Sequence, residues 1–232
     1  TEFTGYEEVA TEGATVAGIL VDGKLRDSLQ TGDAAVLVLD KTPFYAESGG
    51  QVGDTGVISA GAARFEVEDT IKLGGSFFGH IGRLISGVLE AGQQVSARID
   101  AERRRQIVLH HSATHLMHRA LREILGEHVE QKGSLVAPDH TRFDFSHPKA
   151  LTPDQIERVE VVLHPLLGLV RPEIEIVDDA DVVVGHAQPQ LALLVAAHDA
   201  VVRVIVVVIE GRGCDPGREV ARGSRRACVQ AA

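Results

Sequence analysis

The sequence contains no tryptophan, and aromatic residues make up only 4% of its 232 residues. Single-stranded nucleic acids are commonly held by stacking bases on aromatic side chains, so that mode of binding is disfavoured. The two cysteines, Cys214 and Cys228, are too few for a disulfide framework, which favours a reducing compartment. The start of the chain lacks the basic and apolar segments of a signal peptide, and the apolar run at 201–209 is too short to span a bilayer. We therefore expect a cytoplasmic protein with no membrane partner.

Positive charge is also scarce, because 23 basic residues face 33 acidic ones and give a net charge of -10. This balance argues against non-specific capture of nucleic acid, so any RNA contact must be local. The clearest basic run is Arg103-Arg104-Arg105, which could equally be a solvated face. With 44% hydrophobic residues, the chain can bury a substantial core in one or two domains.

Residues 1–99 consist of short β-rich runs separated by glycines, a spacing that predicts a small barrel or sandwich. The segment 44–56 is dense in glycine, which permits positive φ angles and close approach of the backbone to a partner. A turn-rich hairpin explains the same composition, and the segment lacks the ending of a phosphate-binding loop. We place a domain boundary near Asp100, which gives a barrel-like domain at 1–99 and a second domain at 100–232.

The second domain opens with residues 102–125, which contain neither glycine nor proline and predict one long helix. His111 and His115 are four residues apart, so both imidazoles lean from one helical face and can meet a single ion. The pair is half a zinc site at best, since zinc takes three or four protein ligands. Without a metal, the same histidines would be ordinary residues of a polar face.

The rest of the chain predicts an α+β core. Residues 129–146 indicate two strands joined by a turn at Pro138-Asp139, and Thr152 to Gln155 form a capping box that begins a second helix. We expect this helix to run to about Leu163 and to kink or stop at Pro165. Strands at 172–177 and 201–209 complete an antiparallel sheet covered by two helices.

Four phrases together resemble the editing domain of alanyl-tRNA synthetase and its freestanding relatives. They are the glycine segment Phe44 to Gly56, His-Ser-Ala-Thr-His-Leu at 111–116, Gln-Lys-Gly-Ser-Leu at 131–135 and Arg-Phe-Asp-Phe-Ser-His at 142–147. The resemblance implies hydrolysis of the ester that joins a wrong amino acid, serine or glycine, to the acceptor end of the tRNA for alanine. It also implies that the glycine segment, with Gly49, Gly50 and Gln51, borders the substrate.

The resemblance further implies a bound zinc ion and substrate contacts from Thr114 and Gln131. In the family, a cysteine and a histidine from a late Cys-x-x-x-His segment join the two helix histidines on the metal. Here Cys214 can take the cysteine position, but no histidine follows His198. Depending on the register, Arg218 or Glu219 stands at the histidine position, and arginine has no lone pair to offer. We expect His111, His115 and Cys214 to bind zinc, with Glu219, Asp215, water or nothing as the fourth ligand.

Two functions remain open at this point. The chain is an active deacylase, or it is a catalytically impaired module of the same fold that binds the acceptor end of tRNA. The editing domain of threonyl-tRNA synthetase shares the two-histidine helix, but the wording of the glycine segment favours the alanine family. Because the opening phrase resembles the middle of the synthetase, we expect a piece of a longer enzyme that lacks alanine activation. The sequence leaves the oligomeric state open.

Overall fold

The computed structural model describes residues 1–166, 173–178, 193–197 and 200–210. Within them, strands dominate the first 99 residues, and two helices accompany a second sheet. This confirms the predicted α+β class with a barrel-like N-terminal part. None of the helices described is long and apolar enough to cross a membrane.

The N-terminal part forms because short strands alternate buried and exposed side chains. In the strand Ala63–Leu73, for example, Ala63, Phe65 and Val67 are buried while Arg64 and Glu66 face outward. The eleven strands are β1 (Glu2–Phe3), β2 (Ala10–Val21), β3 (Lys24–Leu25), β4 (Ser28–Gln30), β5 (Ala34–Leu39), β6 (Lys41–Thr42), β7 (Gly56–Ala60), β8 (Ala63–Leu73), β9 (Phe77–Ser86), β10 (Val88–Glu90) and β11 (Gln94–Ile99).

Six of these strands close into a barrel in the order β11-β7-β8-β9-β5-β2, and β2 pairs back onto β11. All six pairings are antiparallel. The closed sheet leaves no free edge, and its interior is filled by aliphatic side chains and Phe65. The sequence did not reveal β9, whose glycines at 79 and 82 weaken the strand pattern.

The long helix α1 (Ala101–Leu125) matches the prediction within one residue at its start. The Asp100 side chain accepts a hydrogen bond from the Arg103 backbone N–H at 3.0 Å and so caps the first turn. At the other end, Gly126 has a φ of 114° and donates its N–H to the Arg122 carbonyl. The apolar face of α1 packs Ala113, Met117 and Leu121 into a second core.

The second sheet follows α1 and contains β12 (Gln131–Val136), β13 (Thr141–His147), β14 (Glu173–Asp178), β15 (Leu193–Ala197) and β16 (Ala200–Glu210). Its order is β12-β13-β16-β14-β15. It is mixed rather than purely antiparallel, because both β13 and β14 run parallel to β16. The reason is the crossover through α2 (Pro153–Leu166), which returns the chain to the sheet in the direction of β13.

The predicted capping box of α2 is confirmed, since Thr152 and Gln155 exchange side-chain and backbone hydrogen bonds. The helix extends three residues past the predicted end near Leu163, to Leu166, one residue after the proline that was expected to kink or stop it. Pro165 therefore lies in the last turn of the helix.

Candidate active site

His111 and His115 lie one turn apart on α1 and their Nε2 atoms are 3.1 Å from each other. The two rings are tilted by 51° with centroids 4.9 Å apart, and both are open to solvent. The side of the His111 ring that faces the protein is shielded from water, and this desolvation lowers the pKa of His111; the neighbouring His115 acts in the same direction. A lowered pKa favours the neutral form of His111, which is the form that a metal ligand needs.

The other nitrogen of His111 faces the glycine segment. Its Nδ1 lies 2.8 Å from Oε1 of Gln51, a residue 60 positions earlier in the chain and only 9% exposed. An amide oxygen accepts hydrogen bonds, so this contact is compatible with a ring proton on Nδ1 and a lone pair on Nε2. The predicted substrate residue Gln51 thus touches the histidine directly.

The glycine segment lies next to His111 because backbone hydrogen bonds join it to β12. Val52 donates its backbone N–H to the Val136 carbonyl at 3.1 Å, and Val136 donates to the Gly50 carbonyl at 2.8 Å. Gly50 has a φ of +86°, and a Cβ there would lie 2.4 Å from the Ser134 carbonyl oxygen. Only glycine therefore allows this close approach between the segment and the strand.

The far end of the segment is fastened to the first turn of α1 by a buried ion pair. The Arg104 guanidinium binds both carboxylate oxygens of Asp54, with Nε at 2.9 Å from Oδ1. It also donates to the carbonyls of Gly5 and Pro43. Arg103 adds a 2.8 Å hydrogen bond to the Gly53 carbonyl. Two arginines of the basic run therefore hold the protein together rather than forming a solvated face.

A pocket of about 130 Å³ opens beside the two histidines. Its walls come from the glycine segment, α1 and the β12–β13 hairpin, and its lining residues are Gly49, His111, Thr114, His115, His118, Gln131, Ser134, Val136 and Phe143. The structure thus brings together the histidines, Thr114, Gln131 and Gly49. Gly50 and Gln51 lie behind this lining, next to Ser134 and His111 respectively.

Thr114 and Gln131 both have partners within the protein. Thr114 is 8% exposed and its hydroxyl donates to the His110 carbonyl at 2.8 Å, one helical turn earlier. Its oxygen also contacts the hydroxyl of Thr141. Gln131 is exposed at the start of β12, and its amide nitrogen donates to the Ser134 hydroxyl at 3.0 Å. The Gln131 amide oxygen can still accept a hydrogen bond from a ligand.

Sequence reasoning missed Ser134 and Thr141 as parts of this site. Ser134 lies within the motif at 131–135, but only its contact with Gly50 shows that it faces the pocket. Thr141 is fully buried behind Thr114. Sequence periodicity does not indicate that a polar residue such as this threonine is buried. Of the other helix histidines, His110 is buried away from the pocket. His118 lines the pocket, with its ring against Phe143.

The histidine pair fits a metal ion in its donor chemistry. Two imidazole nitrogens bound to one tetrahedral zinc at ~2.0–2.1 Å lie about 3.3 Å apart, which is close to the 3.1 Å seen here. Gln51 supplies the outer hydrogen bond that metal-binding histidines usually make. Among the residues described, no three histidine, cysteine or acidic side chains gather into a metal site. The predicted third ligand Cys214, with Asp215, Arg218 and Glu219, lies outside the described residues.

Comparison with known proteins bears on the identity of the chain. Over 164 residues it is 56% identical to an alanine–tRNA ligase of Bordetella avium, a stretch that covers 71% of this chain and 19% of the ligase. The alanine–tRNA ligase of Cupriavidus necator is also 56% identical over 164 residues, and that of Bordetella pertussis is 48% identical over 206 residues, which cover 88% of this chain and 23% of the ligase. The chain is related to the alanine–tRNA ligases.

A second comparison agrees with this relationship. A family model described as class II (A) tRNA synthetases matches residues 1–103, which include the barrel and the glycine segment. Together these matches confirm the resemblance of the sequence to the alanyl-tRNA synthetase family. The chain spans about a fifth of the length of the ligases to which it is similar.

Proposed function

We propose that this chain is an editing deacylase that hydrolyses seryl- or glycyl-tRNA for alanine. The observation that carries the proposal is the convergence of two imidazole nitrogens, 3.1 Å apart, on the mouth of a small polar pocket. A pocket of about 130 Å³ is of the size that holds one small molecule, so it suits a small amino acid. The relatives are named as ligases of alanine to tRNA, which suggests the same tRNA as partner.

Zinc held by His111, His115 and Cys214 would supply Lewis-acid chemistry, either to a water molecule or to the amino group of the substrate. The residues of this chain orient that site. Gln51 fixes the ring of His111, and the glycine segment closes one wall of the pocket. An aminoacyl ester is already activated, so a positioned water and donors for the developing oxyanion suffice, and no covalent nucleophile is required.

Selection of serine over alanine needs a group that hydrogen-bonds the extra hydroxyl. Gln131 can accept that hydrogen bond through its amide oxygen, while its N–H remains on Ser134. Thr114 can accept through its hydroxyl oxygen, while its proton remains on the His110 carbonyl. Polar groups left unpaired by an analogue that lacks the hydroxyl disfavour that analogue strongly, which would protect alanyl-tRNA.

The test is the release of radiolabelled serine from seryl-tRNA for alanine by the purified chain. We expect release well above the uncatalysed rate, with alanyl-tRNA left largely intact. His115→Ala should remove the activity, whereas Glu123→Gln, an exposed change on the same helix, should retain it. Release by the unaltered protein at the uncatalysed rate would refute the proposal.

A second candidate is a module that binds the acceptor end of tRNA without turnover. It is favoured by one observation, the lack of any histidine after His198 to complete the metal site. The gel shift of a minihelix carrying the acceptor stem separates the two candidates. Binding without serine release supports the module, and absence of binding refutes it.

A further inference from the structure

We propose that Gln51 is a positioning residue, which holds His111 in the tautomer protonated at Nδ1 and aims its Nε2 lone pair at the mouth of the pocket. This gives Gln51 a role that differs from the direct substrate contact implied by the sequence resemblance. The first observation is the 2.8 Å contact between Gln51 Oε1 and His111 Nδ1. An amide oxygen cannot donate, so the proton in this hydrogen bond belongs to the imidazole.

The second histidine is consistent with this assignment. With the Nδ1 of His111 protonated, its Nε2 can accept, and the Nε2 of His115 at 3.1 Å can donate to it in the metal-free protein. When the His115 ring takes the tautomer protonated at Nδ1, its Nε2 also presents a lone pair, and the two Nε2 atoms can then bind one ion. Gln51, His111 and His115 therefore form a short chain of hydrogen bonds with a fixed direction.

Gln51 can act in this way because its backbone is held from several sides. Its N–H and carbonyl both bond to Ser48, and its neighbours Gly50 and Val52 bond to Val136 of β12. Three residues after Gln51, the buried carboxylate of Asp54 is bound by Arg104 from the first turn of α1. Gln51 and His111 thus lie on the glycine segment and on α1, which the nearby Asp54–Arg104 ion pair holds together.

The side chain of Gln51 is also better suited to bind the histidine than a substrate. It is 9% exposed, and it forms no part of the lining of the pocket, whereas the neighbouring Gly49 does. The other glutamine of the site, Gln131, is exposed and lines the pocket. The two glutamines therefore have separate tasks, one behind the histidine and one facing the ligand.

The decisive test reads the tautomer directly and needs neither metal nor substrate. In long-range ¹H–¹⁵N spectra of the metal-free chain, the protonated and unprotonated ring nitrogens differ in ¹⁵N shift, and His111→Asn identifies the signals of His111. We expect the Nδ1–H form in the unaltered protein and in Gln51→Glu, which keeps an acceptor oxygen. Gln51→Met keeps the length but no acceptor, so His111 should become a mixture of tautomers. Gln131→Met, in the same pocket, should leave the tautomer of His111 unchanged.

Either of two results would overturn the inference. One is an Nε2–H form of His111 in the unaltered protein, which would mean that the Gln51 amide donates instead of accepting. The other is an unchanged spectrum in Gln51→Met. Thermal unfolding of the variants, run alongside, should show Gln51→Glu and Gln51→Met folded at the temperature of the spectra.

The consequence for zinc rests on the proposed function and is measured separately. Outer hydrogen bonds to metal-binding histidines typically change affinity about 10- to 100-fold. We expect competition with a chromophoric chelator to show zinc binding weakened by about that factor in Gln51→Met and retained in Gln51→Glu. If the unaltered chain binds no zinc, the proposed metal chemistry fails, while the tautomer spectra still decide the role of Gln51.

Discussion

The stability of the barrel should depend on pH through one buried histidine, His80 of β9. Its side chain is fully buried, and burial lowers its pKa from 6.5 to about 4. Its Nδ1–H donates to the Leu37 carbonyl at 2.9 Å, and its Nε2 accepts from the hydroxyl of Thr42 at 2.8 Å. The ring of Phe44, at the start of the glycine segment, packs edge-on against it. The folded barrel thus holds His80 in its neutral form.

The direction and size of the change in unfolding free energy with pH follow from proton linkage. Between pH 6.5 and 4 the unfolded chain binds a proton at His80 and the folded chain does not, so stability falls as the pH falls through this window. A shift of one pKa unit corresponds to ~1.4 kcal/mol, so the full loss is about 3 kcal/mol. Between pH 7 and pH 5 the same linkage gives about 2 kcal/mol.

Urea unfolding followed by tyrosine fluorescence measures this loss where it occurs. The chain has two tyrosines and no tryptophan, and both Tyr6 and Tyr45 lie in the barrel region. His80→Asn should lower stability at every pH, because it leaves a cavity, but its pH dependence should be smaller by about 2 kcal/mol between pH 7 and 5. Thr42→Val should keep most of the dependence, since burial is the main cause of the shifted pKa. A pH dependence in His80→Asn equal to that of the unaltered protein would refute the reasoning.

Three further predictions concern the site. Asp54→Asn leaves the largely buried Arg104 guanidinium without its carboxylate and should cost about 3 kcal/mol of unfolding free energy in urea, while Glu102→Gln, which breaks an exposed ion pair, should change it little. Gly50→Ala should destabilise the chain and reduce deacylation because its Cβ meets the Ser134 carbonyl, whereas Gly61→Ala, also at positive φ but in open space, should lower stability slightly and leave deacylation unchanged. His115→Ala should lose retained zinc by elemental analysis; equal zinc in both proteins would contradict a metal site at this pair.

Local signals predicted much of the fold. The α1 helix follows from a run of residues without glycine or proline. The capping box at Thr152 likewise predicted the start of α2. Strand β9 was missed because two of its residues that pack against neighbouring strands are glycines, which carry no strand propensity. The parallel pairings of β16 were missed because the direction of a strand depends on the crossover before it and not on its own residues.

Local sequence signals also predicted only part of the candidate site. The His111–His115 pair could be read from spacing, because four residues on a helix fix which side chains share a face. The contact of Gln51 with His111 could not, since it joins residues 60 positions apart through a loop whose path depends on Gly50 passing close to Ser134. The buried Asp54–Arg104 pair joins this loop to α1, yet in the sequence its arginine belongs to a basic run that is typical of a solvated surface. The orientation of His111 depends on contacts between the glycine segment and α1. Such contacts join residues that are distant in the chain, so local sequence patterns do not predict them.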